Sequence, residues 1–505
     1  MPGNDDGKPS LWEAVTMADA TTYLAYDLGA ESGRAVAGTL SGGKLAIEEV
    51  HRFWNLPQTI QGTMYWDVYA LFREMTEGLK KFMEASGDPP AGTGIDTWGV
   101  DFGLLVRDGS LLAPPVCYRD HRNDTTMAEV LKEIPAERIY GRTGIQFMQF
   151  NSVFQLAGIQ RRTPEVLRAA DCLLFMGDLL AYFLCGRKAV EYTLASTSQL
   201  IDPRTRSWAT DLMSELGIPE GLMPELVEPG TVLGDVSADI AGGVTIPLVA
   251  VAHHDTGSAV AAVPARGTDW ACISCGTWSI MGTELPEPRI DDETRACNFT
   301  NEGGVAGTTR FMKNLGGLWP LQQCRRKWIE SQPDLDYVAI TRAASAAKPF
   351  TAIVNVDYEG FTNPPDMPLA IKDFCIQTGQ QPPADMGEMA RSILEGLALG
   401  YRRVLDMLER LTGKTYDKVH IVGGGTQNEL LMQFAANAME RPVVAGPIEA
   451  TAIGNLMMQA IALGGLGSLD EGREMVRRSF PMKTYKPTDS DTWQAAYKRL
   501  VAMVE

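Results

Sequence analysis

The chain has 505 residues, with 45 Lys and Arg against 63 Asp and Glu, a formal net charge of −18 at pH 7. Length of this order predicts two or three domains, and an apolar content of 45% argues against a disordered chain. The acidic balance argues against nucleic acid or an anionic membrane surface as the main partner, because both need a basic footprint.

The first 20 residues, MPGNDDGKPSLWEAVTMADA, are polar and acidic and have no signal-peptide core, so 1–20 reads as a disordered extension with a second start at Met17. From Tyr23 to Arg34 the sequence YLAYDLGAESGR reads as strand, tight loop and strand. Gly29 and Gly33 are expected to adopt backbone geometries closed to other residues and to admit a ligand close to the main chain. Asp27 ends the first strand, where a carboxylate has no packing role. Converging N–H groups beside a fixed carboxylate suit a phosphate chain and its Mg²⁺; an ordinary hairpin with a solvated Asp gives the same pattern.

Two more strands follow to residue 52, joined at Ser41-Gly42-Gly43, and then a helix from Trp66 to Ser86 with apolar spacing at Leu71, Met75, Leu79 and Phe82. In GTGIDTWGVDFGLLVRDGSLL, Gly92 to Leu112, Asp96 and Asp101 interrupt apolar strands with carboxylates. Residues 123–245 read mainly as helices: Thr126–Glu133, Val153–Arg162, Pro164–Ala170 and Gly177–Cys185. Ala241-Gly242-Gly243 is the expected interdomain junction. The run Thr245–Ala252 then leads into HHDTGSAVAAV, and TDWACISCGTWSIMG repeats the strand–turn–strand layout of the opening. A long amphipathic helix is expected over Asp385–Thr412. Strand KVHIV runs into Gly423-Gly424-Gly425, and helices at Glu429–Met439 and Ala450–Leu463 flank strand Pro442–Gly446. This alternation predicts an α/β protein.

Cys272 and Cys275 form a lone CxxC among eight cysteines. On a strand, positions three apart face opposite ways, and no second pair accompanies them, so buried packing is favoured over zinc or redox chemistry. The run Thr451 to Gly467 is too short and polar to span a membrane, and a soluble cytoplasmic protein is expected.

Three glycine turns end strands: Gly29–Gly33, Gly276-Thr277 and Gly423–Gly425. None matches a P-loop or a dinucleotide fingerprint, but together they suit one nucleotide held between two domains. Asp255 is the catalytic candidate, because it stands where an apolar strand ends and a helix begins. It could cap that helix or accept a proton from a hydroxyl. His253 and His254 point apart on a strand, which disfavours a shared metal.

The segments AYDLGAESGR, GIDTWGVDF, CYRDHR, GIQFMQFN, AHHDTGSAV, SCGTWSIMG, TNEGG, MKNLGGLW, VHIVGGGTQN and AGPIEATAIGN occur in one order between Tyr23 and Tyr485. As an ordered set they resemble the FGGY carbohydrate kinases of the actin/hexokinase/Hsp70 superfamily. The resemblance implies two actin-like (ribonuclease H-like) domains, 21–244 on the sugar side and 245–485 on the nucleotide side, followed by a C-terminal helix over 486–505. It implies ATP and a sugar bound in a cleft between those domains, and γ-phosphoryl transfer to the 1-hydroxyl of a ketose, with L-rhamnulose the expected acceptor. A kinase for another ketose and a non-catalytic sugar sensor are the alternatives. The resemblance makes Asp255 the general base and puts Gly99, His254, Asp255, Thr256 and Asn314 on the sugar. It also puts Ala30, Glu31, Ser32, Gly33 and Arg34 on the phosphates, Thr277, Gln322 and Gly424 on the nucleotide, and Asp27 near Mg²⁺ through water. Glu31 adds a negative charge to the expected phosphate loop, so its side chain must point away from the phosphates. Arg119, Asp120 and Arg122 read equally well as surface ion pairs.

Overall fold

The computed structural model describes residues 20–362 and 364–504, so the extension expected over 1–20 lies outside the described residues as far as 19. The chain forms two compact units. The first runs to Pro264 and takes in Glu284–Phe311 and Ala450–Ser479; the second comprises Ala265–Thr283, Met312–Glu449 and the segment from Phe480 onward. Among the described residues no helix is long and apolar enough to cross a membrane.

The first unit is built on a six-stranded sheet. Its strands in chain order are β1 (Thr21–Leu28), β2 (Ser32–Ser41), β3 (Lys44–Trp54), β4 (Thr93–Thr97), β5 (Thr231–Asp235) and β6 (Pro247–Ala250), and they lie side by side as β5-β6-β4-β1-β2-β3. Strand β1 is antiparallel to β2 and parallel to β4, and β4 is parallel to β6. From Tyr23 to Leu28 every residue of β1 is buried, as a central strand covered on both faces requires. Strand β3, at the edge, instead exposes Lys44, Ala46 and Glu49, and charge at an edge discourages pairing with another chain.

Helix Val68–Ser86 starts where the Asp67 side chain accepts from the Ala70 N–H and stops at Gly87, which takes a left-handed φ of 75°. It buries Leu71, Met75, Leu79 and Phe82, the positions the spacing predicts. Strand β6 corrects one expectation. Thr245–Ala252 does not open the second unit; Leu248 and Val249 pair in parallel with Thr93 and Gly94, so the run completes the first sheet. The Ala241–Gly243 turn accordingly lies between β5 and β6 of one sheet.

Helix Ala450–Ala462 returns to this sheet from far along the chain. Two glycines permit its close approach: a Cβ at Gly454 would lie 1.8 Å from the Ser258 carbonyl oxygen, and one at Gly94 would lie 2.9 Å from Asn455 Oδ1.

The second unit repeats the arrangement. Strand β7 (Ala271–Cys275) is antiparallel to β8 (Trp278–Leu285) and parallel to β9 (Val419–Val422). Strand β9 is parallel to β10 (Val443–Ala445), which is antiparallel to β11 (Lys483–Tyr485). A hairpin whose first strand continues into parallel neighbours is thus common to both units. Helix Met386–Thr412 is capped by Asp385 at its start and by left-handed Gly413 at its end. Cys272 and Cys275 are buried, and neither forms a disulfide.

Candidate active site

Parallel pairing sends β1, β4 and β6 the same way, so their carboxyl ends share one edge of the first sheet, the edge where open α/β sheets bind ligands. Asp27 stands opposite Asp96 in the β1–β4 ladder, and the Thr97 N–H donates to the His253 carbonyl at 2.7 Å, which brings Asp255 to the same edge. Three carboxylates therefore face one another. Burial holds the Asp96 carboxyl well above the usual range, and the charges of Asp27 and Asp255 add to the effect. Asn455 Nδ2 donates to Asp96 Oδ2 at 2.6 Å, while Asp96 Oδ1 is buried without a partner among the described residues. Asp27 pairs with Arg34 across the turn. Among the described residues no group of three or more His, Cys, Asp or Glu side chains could hold a metal ion on its own.

The turn after β1 closes through the Gly29 N–H, which donates to the Ser32 carbonyl at 2.9 Å. Asn55 pins it from one side: its Nδ2 donates to the Gly29 carbonyl at 2.8 Å, and its backbone N–H donates to the Glu31 carbonyl at 3.0 Å. Ala30, Glu31, Ser32 and Arg34 are all half-buried around this turn. The reason expected for its glycines needs correcting, because neither Gly29 nor Gly33 has a positive φ. Gly33 is required by packing: a Cβ there would lie 2.4 Å from the Phe53 ring and 2.8 Å from Leu28.

His253 and His254 diverge, as their places on an extended segment predict. His253 is buried with Nδ1 2.7 Å from Asp178 Oδ1, and its N–H donates to Glu191 Oε2 at 3.0 Å. Burial alone would lower the pKa of this imidazole, but the Asp178 bond and the charges of Asp178 and Glu191 raise it overall. His254 turns the other way. Its Nε2 lies 3.5 Å from Asp255 Oδ1, and its Nδ1 lies 3.0 Å from Arg310 Nη2.

The Thr256 N–H and hydroxyl also donate to Asp255 Oδ1. All these contacts fall on one oxygen, Oδ1, of a partly exposed carboxylate. Partial burial raises the Asp255 pKa, His254 opposes that rise and Asp27 adds to it. An aspartate set up in this way is a general-base candidate on geometry as well as on position.

Gly99 sits in a loop held from below by Asp101. That buried carboxylate accepts from Trp66 Nε1 at 2.6 Å, Trp98 Nε1 at 3.0 Å, the Tyr118 N–H at 3.1 Å and Gln155 Nε2 at 3.1 Å. Between Gly99 and Asp101, Val100 has a φ of 66°, a left-handed conformation costly for a β-branched residue. The loop enforces it: the Val100 N–H donates to Thr197 Oγ1 at 3.1 Å and its carbonyl accepts from Ser152 Oγ at 2.5 Å. Asp120 is buried, accepts from the Met64 N–H at 2.7 Å and pairs with Arg122 at 3.0 Å, so this part of CYRDHR ties loops together.

In the second unit three segments converge on the end of β7. The Leu318 N–H donates to the Gly276 carbonyl at 3.0 Å and the Trp319 N–H to the Thr277 carbonyl at 3.1 Å. Gly423 adopts a φ of 91°, and a Cβ on Gly425 would lie 2.2 Å from Cys275 Sγ. Thr277, Gln322 and Gly424 are therefore carried on segments stitched to, or packed against, one strand end. Gln322 Oε1 is buried without a donor among the described residues, and the space above Gly424 is open. Both features fit a bound nucleotide. Asn314 lies on strand Thr309–Gly316, half-buried.

Sequence reasoning missed Asn455, Glu302, Arg310, Asp178, Glu191 and the strain at Val100. Asp96 and Asp101 did carry a signal, as carboxylates inside apolar runs.

Residues 22–261 match the N-terminal domain of the FGGY family of carbohydrate kinases, and residues 271–463 match its C-terminal domain. The chain is 45% identical over 478 residues to a rhamnulokinase of Bacteroides thetaiotaomicron, covering 94% of this chain and 98% of the relative. It is 40% identical over 483 residues to a rhamnulokinase of Pectobacterium carotovorum, covering 95% and 96%. Among solved structures, gluconate kinase from Lactobacillus acidophilus superposes with a TM-score of 0.80 at 16% identity, covering 96% of this chain and 97% of that one. With both domains matched and relatives of this identity aligned along nearly their whole length, the chain belongs to the FGGY family of carbohydrate kinases, phosphotransferases with an alcohol group as acceptor.

Proposed function

We propose that the chain transfers the γ-phosphoryl group of ATP to the 1-hydroxyl of L-rhamnulose, giving L-rhamnulose 1-phosphate. The observation that carries this reading is Asp255, at the carboxyl edge of the first sheet, whose Oδ1 is held by Thr256 and faced by His254. The chain's similarity to rhamnulokinases supports the choice of sugar.

In this reading Gly99, His254, Thr256 and Asn314 hold the ketose, and Asp255 takes the proton of the attacking hydroxyl. The backbone of Ala30 to Gly33, with Arg34, receives the phosphates, and Thr277, Gln322 and Gly424 receive the rest of the nucleotide. Phosphoryl transfer asks for positioning and charge neutralisation more than for covalent chemistry, and these residues provide the positioning. Asp27 and Asp96 suit Mg²⁺ through water: Mg²⁺ is usually held by one or two carboxylates plus phosphates, and Asp96 has an oxygen without a partner among the described residues, amid mutually repelling carboxylates. When bound, the ion would neutralise charge on the transferring group.

The test is a panel of ketoses with purified protein, ATP and Mg²⁺, followed by ADP release. The highest kcat/KM is expected for L-rhamnulose. A higher value for another ketose would remove the substrate assignment and leave the family assignment standing.

A further inference from the structure

We propose that Arg310 is a positioning residue for the base: its guanidinium, neutralised by Glu302, donates to His254 Nδ1 and so holds the imidazole in the tautomer with its proton on Nε2, the nitrogen facing Asp255. The proposal rests on the reading of Asp255 as the base.

The donor nearest to His254 Nδ1 is Arg310. Arg310 is fully buried and anchored by Nε, which donates to the Gly303 carbonyl at 2.6 Å. Its Nη2 lies 3.0 Å from His254 Nδ1. A guanidinium only donates, so Nδ1 accepts and the proton of the neutral ring is on Nε2. That N–H then faces Asp255 Oδ1, 3.5 Å away, on the same oxygen that Thr256 already holds.

Glu302 makes the arrangement sensitive to Arg310. Its Oε2 lies 3.1 Å from Arg310 Nη2 and 3.2 Å from His254 Nδ1. Burial alone would raise the Glu302 carboxyl, but the Arg310 charge overrides it and holds the group at about 2. The carboxylate is therefore ionised beside Nδ1. With Arg310 present it balances the guanidinium; without Arg310 it becomes the acceptor for a proton on Nδ1, the opposite tautomer. The nitrogen a histidine protonates is set by the partner of the other nitrogen, and here two partners compete for one.

The test uses the full-length protein labelled with ¹⁵N-histidine. The chain has 5 histidines, and His254→Gln assigns the signal. In the unsubstituted protein His254 is expected to show a protonated Nε2 and a bare Nδ1 at neutral pH. In Arg310→Met the proton is expected on Nδ1, with kcat on the ketose lower by about 10- to 100-fold, the scale of lost outer contacts to a working ligand, and KM for ATP within about twofold. Arg310→Lys keeps a cationic donor and is expected to restore the tautomer and part of kcat. If Arg310→Met does not fold, Arg310→Met/Glu302→Gln removes both charges, and a mixture of tautomers with reduced kcat is expected.

A proton on Nδ1 in the unsubstituted protein, an unchanged tautomer in the variants, or an unchanged kcat would each overturn the proposal. If no ketose is phosphorylated, the functional reading falls and takes the catalytic part of this proposal with it; a wrong tautomer in an active enzyme overturns the proposal alone.

Discussion

Asn455 Nδ2 donates to Asp96 Oδ2 at 2.6 Å, across 359 residues of sequence. The bond ties helix Ala450–Ala462 to the strand end where Asp27, Asp96 and Asp255 meet, and the other oxygen of this fully buried carboxylate has no partner among the described residues. Asn455 also accepts from Gln459 Nε2 at 2.8 Å, and Gln459 donates in turn to the Leu24 carbonyl at 3.0 Å. A buried polar chain of this kind specifies one docking position for the helix, because a partly satisfied one is costly.

Asn455→Leu keeps the volume and removes the donor. Both Asp96 oxygens are then buried without partners, and an orphaned buried polar group costs about 1–3 kcal/mol. A fall of that size is expected in the unfolding free energy from urea titration at pH 7. An unchanged midpoint and slope would show that the helix docks without this bond.

Asp101 gives a pH-dependent prediction. Burial raises its carboxyl to about 6, and the bonds from Trp66, Gln155 and Trp98 limit the rise. An unfolded Asp titrates near ~3.9. Because the folded value is the higher one, the unfolded chain binds fewer protons between the two values, and stability from this group is lost as pH rises from about 4 through about 6. The whole contribution is about 3 kcal/mol at 1.36 kcal/mol per unit. Asp101→Asn cannot titrate, so the stability of the unsubstituted protein relative to the variant should fall by this order between pH 4 and pH 7. A difference that is flat with pH contradicts the assignment.

Much of this was legible in the sequence, for reasons that differ from residue to residue. Helix Met386–Thr412 announced itself through its apolar spacing, a local feature. Asp255 was legible because a carboxylate after an apolar run is conspicuous. Gly33 was noticed for the wrong reason: its partner is Phe53, on another strand, and no local pattern reports a clash between strands. Strand β6 was assigned to the second half because a run of buried residues reads the same whichever sheet it joins. Arg310 and Glu302 were hidden because a charge in an extended segment usually means an exposed position, and only the fold shows that these two neutralise each other in the interior.

Val100 was hidden more deeply, since a β-branched residue argues against the left-handed φ of 66° that it adopts. This conformation predicts an inverted order of stabilities. At an ordinary strand or loop position glycine is less stable than alanine because it costs more chain entropy. At a left-handed position the Cβ is penalised, by roughly 1–2 kcal/mol. Val100→Gly should therefore be more stable than Val100→Ala, by about 1 kcal/mol once the entropy difference is subtracted. Thermal unfolding of the two variants side by side reads this directly, and the reverse order rules out strain at this residue. If the strain serves to set the Gly99 loop, Val100→Gly should also raise KM for the ketose and leave KM for ATP unchanged.

Asp255→Asn separates the chemical role of this side chain from its structural one. Asn retains an oxygen for the Thr256 N–H and hydroxyl, so the start of helix Asp255–Ala261 keeps its local bonds. What it loses is the capacity to take a proton. If Asp255 is the base, kcat falls by about 10²- to 10⁴-fold, the usual contribution of a positioned general base. The proton moves only as the hydroxyl attacks, so kcat and kcat/KM for the ketose should fall together. ATP binding, followed by calorimetry without the sugar, should stay within about twofold, because the nucleotide is assigned to other residues. Turnover close to that of the unsubstituted enzyme would remove Asp255 as the base. Loss of ATP affinity along with activity would instead mean that the side chain organises the strand ends, with Asp27 and Asp96, rather than moving a proton.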